Sequence, residues 1–362
     1  MKRILAALVI AVGLTGAAGS TALPANKFGP QITALIAQAQ KEGKLQLSWS
    51  GGSFGENGKD MPAWIDAFNR YYGLHLSYTY TPAPTMTQQA MAVIQAAQSN
   101  TPAATDDVIL GAENLDLDVK AKALIAYPWA ALAKELGANL PAAVIGPDNS
   151  GIGFATEVYG ITYNKNAVAA ADVPQTLSDV LKPAWKGRVA GEAHAAGFAD
   201  LAEFNKQWNP AKAEAYVRKL GEQIGGIARC GDATPLLSGQ FDMMVLECDI
   251  SAAILEERRG LPIGYIVPKD GALMGPWYIG VPKTSPDPAA GALLAIFMMT
   301  KEGQQVAWDA HGGDLAQIPG SHMAAFLPRN AVNVTAQDYL AQPETAKLYE
   351  QYANIITGMN KK

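Results

Sequence analysis

At 362 residues, 49% apolar and 17% charged, the chain is too long for one core and too apolar for disorder, so two globular domains are expected. Its formal charge of −5, with no basic stripe, argues against nucleic acid as a partner. Beyond the N-terminus no run approaches the ~18 apolar residues of a membrane span, and two cysteines are too few for a disulfide scaffold.

In chain order, "MKRILAALVIAVGLTGAAGSTALPA" comes first. Lys2 and Arg3 form a positive start, Ile4 to Leu14 an apolar core, and Ser20-Thr21-Ala22 a small-residue cleavage site. This reads as a bacterial secretory signal over 1–22, cleaved after Ala22 or, as second choice, after Ala25. No Cys follows it to carry a lipid anchor, and its removal takes the charge to −7. "KLQLSWS" (44–50) alternates as a strand and runs into the glycine loop "GGSFGENGKD". Asp60 and Pro62 start a helix whose apolar positions Met61, Trp64, Ile65, Phe68 and Tyr72 share one face, and Gly73 stops it. A strand (74–80), a helix (87–98) and a near-continuous apolar strand "DDVILGAE" (106–113) follow, as in parallel βαβ units.

"VYGITYNKNAV" (158–168) is a strand able to carry the chain to a second α/β block. That block has strands at 187–192, 225–230 and 241–248, with "NPAKAEAYVRKLGEQ" as a helix between them. "GPWYIGVPK" (275–283) carries the chain back, and everything from Pro288 on reads as helix packed on the first block. Two crossings imply two lobes around a cleft: 23–157 with 284–362, and 158–283.

These phrases together resemble a known family. "LQLSWSGGSFGENGKDMPAWIDAFNRYYGL", "TPAATDDVILGAEN", "VYGITYNKNAV…VPQTLSDVLKPAWKGRVA" and "GPWYIGVPKTSPDPAAGALLAIFMMTKEGQQV" are similar to segments of periplasmic solute-binding proteins of bacterial ABC importers, of the polyamine and ferric types. The resemblance spans essentially the whole mature chain. It implies an α/β, two-lobed periplasmic binding protein fold of type II, with two hinge-crossing strands and a ligand cleft between the lobes. It further implies a monomer in the periplasm that closes on a small solute and docks on an inner-membrane ABC permease, without a cofactor, catalysis or nucleic acid.

Ligands of open α/β sheets lie beyond the carboxyl ends of the strands. That rule nominates the glycine loop, where Ser50, Gly52 and Ser53 offer donors and close backbone approach. The loop is not a P-loop, because Asp60 stands where Ser or Thr must follow Lys59. Glu113 corresponds to a metal-binding acid in ferric relatives, or is a solvated loop acid. In "VLECDISAAI" (245–254) the ferric relatives carry a Tyr pair where this chain has Cys248 and Asp249, and the loss of both phenolates speaks against iron.

What surrounds the expected cleft is acidic: Glu113, Glu192, Asp232, Glu247 and Asp249, beside Trp277 and Tyr278. Carboxylates beside aromatic faces suit an amine or quaternary ammonium. Each has a competing role: Asp249 is a good N-cap, Trp277 can be hinge packing, and alternation lets only one of Glu247 and Cys248 face the cleft. Alternation relative to Cys230 also turns Arg229 away. Tyr159 either reaches the ligand from the crossing strand or packs between the lobes. His194, just past a strand end, has no second His at metal-ligand spacing.

The expected ligand-binding residues are thus Ser50, Gly52, Ser53, Glu113, Tyr159, His194, Asp232, Asp249, Trp277 and Tyr278, with no metal ligands. Cys230 and Cys248 each end a strand and form either a disulfide or a pair of buried thiols. The expected function is delivery of a small cationic or amino-bearing solute. The alternatives are a ferric or other metal binder of the same class, and an exported enzyme on the same fold.

Overall fold

The computed structural model describes residues 27–49, 58–83 and 85–359. The signal segment and the loop carrying Ser50, Gly52 and Ser53 lie outside the described residues. The strands are β1 (Lys44–Leu47), β2 (Ser77–Tyr80), β3 (Val108–Leu110), β4 (Ile152–Asn164), β5 (Val189–Glu192), β6 (Gly226–Ala228), β7 (Met243–Glu247), β8 (Ile263–Ile266), β9 (Leu273–Gly280) and β10 (Val332–Asn333).

They build two sheets that share one strand. In the first, β2 and β1 are parallel, a Leu47–Asp107 bridge leads to β3, and β9 runs antiparallel to both β3 and the first half of β4. In the second, the other half of β4 lies antiparallel to β7 and β8, and β5 and β6 extend from β7 in parallel. β4 changes partners at Tyr159–Gly160, where its pairing moves from β9 to β7. Gly160 is required there, because a Cβ would run into the Ile266 carbonyl and the Ile250 side chain. The return strand β9 pairs with the first-lobe half of β4 along its length, so the chain is back in the first sheet by Leu273.

Local chemistry sets the helices. The helix Met61–Tyr72 buries Trp64, Phe68 and Tyr72 and ends on Gly73 at φ 68°, and its aromatic rings pack on Phe297. Asp60 stands at its N-cap but makes no capping bond; it faces Arg259 of the second lobe at 3.8 Å. Thr85 caps Met86–Ser99 by accepting from the Gln88 N–H, and Asn209 caps Pro210–Gln223 by accepting from that of Lys212.

Three expectations are corrected. The strand of 106–113 is only Val108–Leu110; Gly111 then caps the helix Ala112–Ala121, which puts Glu113 in a first helical turn instead of a loop. The long apolar stretch after Pro288 breaks at Thr300, whose hydroxyl caps a new helix from Lys301. The C-terminal helix Glu344–Met359 does not stay with the first lobe. It packs on Ala196–Phe204 and Pro210–Gln223 of the second, with Ile356 fully buried and the Tyr352 hydroxyl donating to the Pro210 carbonyl.

Candidate functional site

A cavity of about 740 Å³ opens between the two sheets. One wall is built by two helix starts, Thr85–Gln88 and Glu113–Asn114, and by Trp277 of β9. The other gathers residues at the ends of three parallel strands: Glu192, the last of β5, with Ala193 and His194; Ile227 and Ala228 of β6 with Arg229, Cys230 and Asp232 beyond it; and Cys248 after β7. The strand-end rule therefore holds for these residues of the second wall. Tyr349, from the C-terminal helix, closes one side.

Glu113 sits at a helix N-terminus, where the helix dipole favours a negative charge. Its carboxylate faces His194 Nε2 at 3.6 Å, a contact from one wall to the other. His194 Nδ1 lies 3.3 Å from the Tyr349 hydroxyl. Glu192 is 2% exposed, and neither of its oxygens makes a hydrogen bond of good geometry. Burial pushes its pKa well above the usual carboxylate range; the charge of Glu247 adds to this, and the nearby Cys248 amide partly offsets it. Trp277 Nε1 is also buried, without a hydrogen-bond partner among the described residues.

Cys230 and Cys248 are joined as a disulfide with Cα atoms 5.6 Å apart. Their strands are not neighbours, since β5 lies between β6 and β7. The bridge spans the end of β5, next to Glu192, and donor atoms of Glu192, Cys230 and Cys248 lie within 4.8 Å of one another.

Of the expected residues, the structure brings Glu113, His194, Asp232 and Trp277 to the cavity. Asp249 is elsewhere: it is 1% exposed, caps Ile250–Arg258 by accepting from the Ser251 N–H at 3.0 Å, and lies 3.6 Å from His311 Nε2. Tyr278 is fully buried, its hydroxyl accepting from the Ala336 N–H. Tyr159 is 3% exposed and packs on Gly197, which has no Cβ to obstruct the ring. Glu247 points inward and accepts from the Gly231 N–H at 2.9 Å. Arg229, expected to turn away, lines the cavity with Cys230, because strict alternation ends with β6 at Ala228.

Two contributors went unnoticed in the sequence. Thr85–Gln88 follows β2 and was open to the strand-end rule. Tyr349 carries no local signal, since its position depends on where the last helix docks.

The sequence profile of the family described as "Bacterial extracellular solute-binding protein" matches residues 63–330. The chain belongs to this family. An uncharacterized protein of Haemophilus influenzae is 24% identical over 195 residues, which is 51% of this chain and 56% of that protein's length. The fold is shared with the substrate-binding protein of an ABC transporter from Agrobacterium tumefaciens (TM-score 0.69, 17% identity, 86% of this chain and 94% of that one). It is also shared with the apo ferric ion-binding protein A of Pasteurella haemolytica (0.64, 15%, 86% and 96%). A third example is the fructose-6-phosphate-bound periplasmic binding protein AfuA of Actinobacillus pleuropneumoniae (0.66, 18%, 87% and 98%). These are two-lobed periplasmic binding proteins, and this chain has their type II fold. Among the described residues no helix is long and apolar enough to cross a membrane.

Proposed function

We propose that this extracellular solute-binding protein captures a small cationic, amino-bearing solute in the periplasm and presents it to an inner-membrane ABC permease by closing its lobes. The observation that carries this reading is Glu192, a buried carboxylate on the cavity wall whose oxygens, among the described residues, make no hydrogen bond of good geometry. An ammonium group would supply both the missing charge and the missing donors. Glu113 and Asp232 add carboxylates from opposite walls, and Trp277 adds an aromatic face for a cation. Arg229 is the one permanent cation among the described lining residues, which is little for an anionic solute. Both cysteines are engaged in a bridge, so neither is a free nucleophile, and the family is one of binders. Closure follows from differential affinity, because a solute held by both walls binds the closed form more tightly.

The test is native against denatured mass spectrometry of the mature protein purified from a bacterial periplasm. A trapped mass of a small organic amine is expected, released intact, and lost from Glu192→Gln. A trapped iron, a sugar phosphate or a chemically altered product would overturn the reading.

A further inference from the structure

The ends of three neighbouring strands converge at one point on the cavity wall. Glu192 ends β5, Cys230 follows β6 and Cys248 follows β7, and one donor atom from each lies within 4.8 Å of the others. Two features set this point apart from an ordinary disulfide. Glu192 is 2% exposed and, among the described residues, neither of its oxygens makes a hydrogen bond of good geometry, and the cluster borders an open cavity. We propose that it is a redox-gated metal site, closed as the disulfide and, once reduced, able to hold a thiophilic divalent cation such as Zn²⁺ through Cys230, Cys248 and Glu192.

The geometry required is modest. Zn–S bonds of about 2.3 Å and Zn–O bonds of about 2.0–2.2 Å place two thiolates of a tetrahedral site roughly 3.8 Å apart, with the carboxylate oxygen slightly nearer to each. Cα atoms 5.6 Å apart accommodate that spacing. Three protein ligands leave the fourth position facing the cavity, the pattern of a site that takes an exogenous ligand. Two thiolates favour a softer cation than Ca²⁺ or Mg²⁺. With two thiolates and one carboxylate around a divalent ion the site carries one net negative charge, and the metal–oxygen bond takes up the lone pairs of Glu192.

The redox step is a thiol–disulfide exchange. An external dithiol attacks one sulfur, a mixed disulfide forms, and the second reductant thiol resolves it. The S–S bond of Cys230–Cys248 breaks, two electrons and two protons pass to the protein, and the reductant leaves as its own disulfide. Metal binding then displaces both thiol protons to solvent.

The experiment uses the full mature chain, oxidised or reduced with dithiothreitol that is then removed under anaerobic conditions. Each form is titrated with Co²⁺ as spectroscopic probe and with Zn²⁺ in competition. The reduced protein is expected to bind one Co²⁺ with a thiolate charge-transfer band and tetrahedral ligand-field absorption that Zn²⁺ abolishes; the oxidised protein should give neither. Glu192→Gln keeps the disulfide and should weaken binding by the reduced form about tenfold or more while retaining the thiolate band. The Cys230→Ser, Cys248→Ser double variant, checked for folding by circular dichroism, should lose the band. The proposal fails if reduced and oxidised forms bind alike, if the band is absent, or if Glu192→Gln matches the parent. Because the metal is titrated alone, these outcomes are independent of which organic solute the cavity holds.

Discussion

Leu246 has φ 45° one residue before the end of β7, and the register against β4 skips it: Gly160 faces Glu247 while Ile161 faces Val245. This is a β-bulge, and its effect is to reverse the side-chain alternation beyond it. Met243 and Val245 point into the second-lobe core, and so do Leu246 and Cys248, which unbroken alternation would have turned away. The bulge thus delivers Cys248 to the cavity wall and sends Asp249 to a buried N-cap. Strand, acid, thiol and helix start were all legible in "VLECDISAAI", but the inserted residue was not, since a leucine with positive φ leaves no compositional trace. Asp249→Ala should accordingly cost about 1 kcal/mol in urea unfolding through loss of the cap, with solute affinity unchanged in the same preparation. A tenfold loss of affinity without loss of stability would return Asp249 to the site.

At the scale of elements, periodicity located most of what builds the cleft, because each strand and helix carries its own pattern of burial. It recovered the Met61–Tyr72 helix, the second half of β4 and the strands whose ends form the second wall, but not the first half of β4 from Ile152. The same signal says only that a helix has an apolar face, never what that face meets. That is why Glu344–Met359 was assigned to the wrong lobe and Tyr349 was missed. The contact is close: the Gly191 position, on β5 one residue before Glu192, lies against Ile356 with no intervening Cβ. Ile356→Ala should destabilise the protein by about 2–5 kcal/mol, the range for a buried isoleucine whose neighbours cannot collapse into the gap. Equilibrium denaturation measures it, and a change within ±0.5 kcal/mol, the range of a surface substitution, would mean the helix is not docked on this lobe.

Across the whole molecule, buried carboxylates without cationic partners recur, and they tie stability to pH. Burial raises Asp118 from 3.8 and Glu247 from 4.5, each to about 8. Glu157, Asp200 and Glu192 move in the same direction, again chiefly through burial. A carboxyl whose folded pKa is raised contributes stability that is full below its unfolded pKa and is lost as pH climbs through the folded one. The empty protein should therefore melt at a higher temperature near pH 5 than near pH 8. Asp118→Asn should raise the Tm much more at pH 8 than at pH 5 and so flatten the profile. Binding should run the other way. A cationic solute needs Glu192 ionised, so wherever burial keeps that group protonated part of the binding energy goes into expelling its proton, and affinity should rise with pH even as the empty protein weakens. Calorimetric titration in buffers of different ionisation enthalpy would detect the released proton, and Glu192→Gln should abolish both the release and the pH dependence. An affinity that is flat or falls with pH would mean that the solute brings no positive charge to Glu192, and the cationic reading would fail with it.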